Sequence, residues 1–110
     1  MTKSTTCCAQ PVQCCSLDIS GEAQDRLVGM FKALGNPIRF EILKYLATHP
    51  GCITGDLVDY LPIAQATVSQ HLKVLREAGW IAGVTEGAAR CYCMNTEAIV
   101  WFKETVGRIL

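Results

Sequence analysis

The chain has 110 residues, half of them hydrophobic and 18% charged, with ten basic and ten acidic side chains. That length bounds one small domain, so high an apolar fraction reserves surface for a partner copy, and zero net charge argues against a monomeric nucleic-acid binder but not against a dimer that gathers its cations on one face. No apolar run reaches the roughly 20 residues of a membrane span, and the N-terminus lacks an apolar signal core, so the protein is expected to be cytoplasmic, where its seven cysteines read as metal-binding or redox thiols.

Residues 1–18 are polar and aperiodic, with Cys7-Cys8 and Cys14-Cys15 on either side of Pro11. They read as a flexible Cys-rich arm, which leaves 19–110 as the folded domain. Ile19 to Leu34 is expected to be a helix, because Leu27, Met30, Phe31 and Leu34 recur at helical spacing and Gly35 ends the run. Asn36 caps the next helix and Pro37 occupies its first position, where a missing N–H costs nothing. That helix runs to about Thr48, carries two apolar faces (Ile38, Ile42, Leu46 and Phe40, Leu43, Ala47) and stops at His49-Pro50-Gly51.

Thr54 can cap a short helix holding Leu57, Val58 and Leu61, with Asp56 suited to its positive first turn. Pro62–Ala64 then turns the chain into a helix closed by Gly79. Its back is Val68, Leu72 and Leu75; its front carries Gln65, Thr67, Ser69, Gln70, His71 and Lys73. Short polar groups in that succession can read base edges or hold phosphates, whereas none forms a proton-transfer pair. Trp80–Val84 and Arg90–Met94 are expected to be two strands joined through Thr85–Ala89, and Thr96 starts a last helix with Ile99, Phe102, Val106 and Ile109 on one face. Helix, helix, short helix, recognition helix, hairpin, helix is a mostly α winged helix-turn-helix. Its first and last helices have apolar stripes wider than so thin a fold can cover, and they are the natural homodimer surface.

Two stretches, Phe31-Lys-Ala-Leu-Gly-Asn-Pro-Ile-Arg-Phe-Glu-Ile-Leu43 and Ala66-Thr-Val-Ser-Gln-His-Leu-Lys-Val-Leu-Arg-Glu-Ala-Gly79, closely resemble the ArsR/SmtB family of bacterial metalloregulatory repressors. The resemblance covers about residues 22–108. It implies a homodimer that binds double-stranded operator DNA as the apo-protein and leaves it when a metal or metalloid binds, with no enzymatic activity. It also implies that Gln65, Thr67, Ser69, Gln70 and His71 face the major groove, and that Arg90 touches phosphate or minor groove. One departure is Ala64, where many members have Ser or Asp. An alanine cannot cap, at a cost of about 1 kcal/mol.

The sensing site must be argued from ligands. A last-helix site of Asp, His and Glu is unsupported, since that helix offers only Glu97 and Glu104. A Cys-Val-Cys-Asp-Leu site is replaced here by Ile53-Thr-Gly-Asp-Leu57. Cys14, Cys15 and Cys52 remain, and they resemble a subset of arsenic-responsive members. As(III) and Sb(III) are thiophilic, and pyramidal As(III) takes three thiolates. The resemblance implies that Cys52 comes from the other protomer. Cys91 and Cys93, at i and i+2 on a strand, share one face and form the runner-up site, as a soft-ion or redox pair; packing of the strand is the blander reading. A thiol-redox or other soft-metal repressor of the same fold is the alternative function. No Cys-x-x-Cys, phosphate loop or Gly-rich dinucleotide motif supports an enzyme.

Overall fold

The computed structural model describes residues 17–50, 52–86 and 89–110. Helix α1 spans Gly21–Leu34. It starts two residues after the expected Ile19, because Gly21 sits at φ +65° and turns the chain into the helix, while Ile19 N–H donates to Leu17 O at 3.0 Å ahead of it. The buried row is Leu27, Met30 and Ala33; Leu34 packs at the core margin and Phe31 is half exposed.

Helix α2, Pro37–Thr48, begins as expected. Asn36 Oδ1 accepts from the backbone N–H of Ile38 at 2.9 Å and of Arg39 at 3.1 Å, which satisfies two of the orphan donors of the first turn. It buries Ile42, Leu43 and Leu46, but Phe40 and Ala47 face outward, so the second apolar face is only partly used. At its end the His49 ring stacks on Tyr45 with centroids 4.0 Å apart.

A short strand, β1 (Cys52–Ile53), precedes α3 (Thr54–Tyr60), and α4 runs from Gln65 to Ala78. Two residues are too few to show a strand period, so β1 is visible only through its pairing with the hairpin. The hairpin strands, β2 (Ile81–Glu86) and β3 (Ala89–Met94), reach further toward the tip than the expected limits of Val84 and Arg90. The ladder continues through Thr85↔Arg90 to Glu86↔Ala89, so three residues expected in the turn are paired strand. The antiparallel sheet has the order β1-β3-β2, with Cys52 opposite Tyr92 and Ile53 opposite Cys91. Helix α5, Thr96–Ile109, closes the chain and is capped by Asn95 Oδ1, which accepts from Ala98 N–H at 3.2 Å.

The core lies where α1, α2, α3 and α4 meet the inner face of the hairpin. Met30, Ile42, Leu46, Leu57, Val68, Leu72, Leu75 and Ile81 are its fully buried side chains, each stabilising the fold by about 1.5–3 kcal/mol through removal from water. Among the described residues, no helix is long and apolar enough to cross a membrane.

Candidate nucleic-acid interface

Helix α4 is fixed at both ends by backbone geometry. At its start Ala64 offers no side-chain cap, but its carbonyl accepts from Thr67 and Val68 N–H, each at 3.0 Å, and Ile63 packs against the core just before it. At its end Gly79 adopts φ +98°. Its N–H donates to Arg76 O at 3.1 Å and Trp80 N–H donates to Leu75 O at 3.0 Å, the paired closure of a Schellman motif. Trp80, the residue after the glycine, is buried with Leu75, which supplies the apolar contact that accompanies such a closure. Its indole Nε1–H donates to Met30 O at 2.8 Å, so the exit of α4 is tied to the middle of α1.

Between these ends, Val68, Leu72 and Leu75 are buried, as their spacing requires. Gln65, Thr67, Ser69, Gln70 and Lys73 are all exposed on one side of the helix, with Ala66, Val74 and Glu77 exposed among them. The first turn contains no acidic residue, so nothing opposes the positive end of the helix dipole there. Arg90 belongs to β3, opposite Thr85 and adjacent to the hairpin tip.

His71 stands apart from the other five. It is half-buried at the border between the polar face and the core, and its Nδ1 lies 3.4 Å from a terminal nitrogen of Arg39. A guanidinium has no acceptor, so this geometry makes Nδ1 the acceptor and leaves the imidazole proton on Nε2. Burial first, and then the Arg39 charge, hold the His71 pKa below its ordinary 6.5. Arg39 also donates from Nε to Ala33 O at 2.6 Å and from Nη2 to Lys32 O at 3.5 Å. Its single side chain therefore caps the carbonyl end of α1 from the first turn of α2 while touching the recognition helix.

The thiols divide into two groups. Cys7, Cys8, Cys14 and Cys15 lie outside the described residues, and Cys52 is placed only as a register position in β1. Cys91 is half-buried and Cys93 exposed, neither is in a disulfide, and Tyr92 between them is buried. Among the described residues, no group of three or more His, Cys, Asp or Glu side chains could hold a metal ion.

The sequence profile of "Bacterial regulatory protein, arsR family" matches residues 36–82, from the cap of α2 to the start of the hairpin. An uncharacterized HTH-type transcriptional regulator of Methanocaldococcus jannaschii is 35% identical over 64% of this chain and 80% of its own length. This chain belongs to the arsR family. Other relatives of this arsR-family chain include an arsenical resistance operon repressor of Bacillus subtilis, 33% identical over 63% of this chain and 66% of its own. The SmtB repressor of Mycobacterium tuberculosis is 37% identical over 69% of this chain, but the match spans only 50% of that protein. Among solved structures, an ArsR-like transcriptional regulator from Rhodococcus sp. RHA1 superimposes with a TM-score of 0.74 at 25% identity, covering 81% of this chain and 83% of that one. The arsR family consists of transcriptional regulators, not enzymes, and the winged-helix fold of this member agrees with that.

Sequence reasoning on this arsR-family chain missed Arg39. Its position two residues after Pro37 suits the first turn of a helix, but nothing in the spacing shows that the chain doubles back so that the guanidinium meets both α1 and α4.

Proposed function

We propose that this chain is a homodimeric, cytoplasmic transcriptional repressor. In this reading it holds double-stranded operator DNA as the apo-protein and releases it when As(III) or Sb(III) binds. The observation that carries the DNA half is the exposed, mostly polar face of α4, supported from behind by three buried apolar residues. Gln65, Thr67, Ser69, Gln70 and Lys73 line the major groove, His71 flanks them, and Arg90 on the wing meets the phosphate backbone.

Dimerisation uses α1 and α5. Supporting this, Leu17, Ile19, Leu27, Val28, Phe31 and Ile109, with Gln24 and Leu110, line a mostly apolar cleft of about 300 Å³ between α1, the residues leading into it and the end of α5. Val28 and Phe31 are 45% and 48% exposed there, more apolar surface than a monomer profits from leaving wet.

Residues 1–18 form the sensory arm and 19–110 the folded domain. Cys14 and Cys15 supply two thiolates and Cys52 the third. Arsenite exchanges its three As–O bonds for three As–S bonds, with the thiol protons leaving as water, so the switch needs no oxidant. Cys52 opens β1, directly ahead of α3, so a ligand that pulls on it loads the first residues of the helix-turn-helix. Binding lowers operator affinity only because the off-DNA arrangement holds the metalloid more tightly.

The test is fluorescence anisotropy of the purified protein on its own promoter DNA, with arsenite or antimonite added at micromolar concentration. Binding at low salt, reversed by the metalloid in the parent and not in Cys14→Ser or Cys52→Ser, is the expected result. Failure to bind operator DNA sinks the repressor reading. Release by a thiol oxidant but not by arsenite replaces it with a redox switch.

A further inference from the structure

Cys91 and Cys93 are not used by the three-thiolate site, and their setting has its own chemistry. They sit in β3, the central strand of the sheet, one residue apart on the side opposite buried Tyr92. Cys93 is exposed, and its Sγ makes a long contact of 4.0 Å to Ala82 O. The residue across the ladder from Cys93 is Ala82, whose methyl takes little room beside the thiol. Cys52 shares its register position with Tyr92, one residue out of step with the pair, which is half the two-residue period of a strand.

Distances decide what such a pair can do. Alternate residues of an antiparallel strand have Cα atoms about 6.8 Å apart. A disulfide needs Cα atoms between about 4.4 and 6.8 Å, most often 5.5–6 Å, so β3 holds the pair at the outer limit for oxidation to a ring. Two metal–thiolate bonds of about 2.3 Å in line span ~4.6 Å, a separation that two same-face thiols reach by rotation about χ1 without moving the strand. Two thiolates, with no third His, Cys, Asp or Glu grouped with them among the described residues, suit a soft cation that is satisfied by linear two-coordination.

We propose that Cys91 and Cys93 form a second thiol site, taking a soft, thiophilic cation such as Cu(I) or Hg(II) as a linear bis-thiolate, with both thiol protons released to solvent. The site stands independently of what Cys14, Cys15 and Cys52 bind. It lies on the strand that carries half of the wing and is hydrogen-bonded to β1, the lead-in to α3.

The test uses a variant in which Cys7, Cys8, Cys14, Cys15 and Cys52 are all Ser, titrated with Hg(II) in excess competing monothiol and followed by ultraviolet thiolate-to-metal absorption. The expected result is one Hg(II) per chain, held at least ~100-fold more tightly than in the same variant carrying Cys91→Ser or Cys93→Ser, since the second thiolate binds intramolecularly. Equal affinity in the single-thiol variants overturns the proposal, as does one Hg(II) bridging two chains by sedimentation. If the five-fold variant does not fold, the full chain is titrated against Cys91→Ser and Cys93→Ser; each must lose one monothiol-resistant equivalent, and retention of it refutes the site. Loss of arsenite response bears on the three-thiolate reading alone.

Discussion

Arg39 and His71, 32 positions apart, meet at 3.4 Å between a guanidinium nitrogen and Nδ1. The contact joins the first turn of α2 to the recognition helix. Because Arg39 also holds Ala33 O at 2.6 Å, three helices converge on one cation. Arg39→Ala is expected to destabilise the fold by about 1.5–3 kcal/mol, the usual worth of charge-assisted hydrogen bonds. A shift in urea midpoint without change in slope would show it, and Arg39→Lys, which lacks the fork, should not restore the loss.

The partly buried His71 makes stability depend on pH. The His71 pKa is lowered on folding, by burial and then by Arg39, so the unfolded state binds the proton more readily. The contribution is complete above the unfolded value of about 6.5 and declines as pH falls from there toward the folded pKa. Denaturation midpoints measured down from neutrality should drop, and His71→Asn, which keeps an acceptor near Nδ1 but does not titrate, should flatten that part of the curve.

Gly79→Ala tests the exit of α4. A Cβ there would lie 3.7 Å from the Ala98 Cβ, an ordinary contact, so space is not at issue; the φ of +98° is. A loss on the order of 1–2 kcal/mol is expected in thermal unfolding, from backbone conformation alone.

On DNA, Lys73→Ala and Gln70→Ala should part company. Removing the Lys73 charge should weaken all sequences alike and reduce the salt slope by about 1, whereas Gln70→Ala should cost ~1–3 kcal/mol on the operator and little elsewhere. Equal behaviour on operator and random DNA would remove Gln70 from the base-reading set.

Val28→Glu addresses the proposed dimer surface. Val28 is 45% exposed, so the fold should survive the change, while a charge in the apolar cleft should shift sedimentation toward monomer and lower operator affinity. A dimer that persists places the interface elsewhere.

Most helices were legible because a strong signal stood at each end: Asn36-Pro37 at the start of α2, Gly79 at the end of α4, and Val68, Leu72 and Leu75 between. Three features were not legible, for different reasons. β1 is two residues long and owes its existence to pairing with β3. Gly21 delays α1 through a backbone angle that composition does not announce. The position of His71 at the edge of the polar face depends on Arg39 arriving from another helix. For the thiols, strand alternation was enough to separate Cys91 and Cys93 from Tyr92, whereas Cys14 and Cys15 have no periodic neighbours to define their surroundings.

The bond from Trp80 Nε1 to Met30 O reaches across 50 positions and is buried. With the Schellman closure of α4 beside it, it ties α1, the end of α4 and the root of β2 together; in the proposed dimer on DNA, one arm of that unit lies at the partner copy and the other in the groove. Operator half-sites lie about 34 Å apart per helical turn. In the proposed dimer, such a unit leaves that register by pivoting against its twin. On that proposal, repression is set by the angle between the two copies, and a small change in that angle moves both reading heads at once.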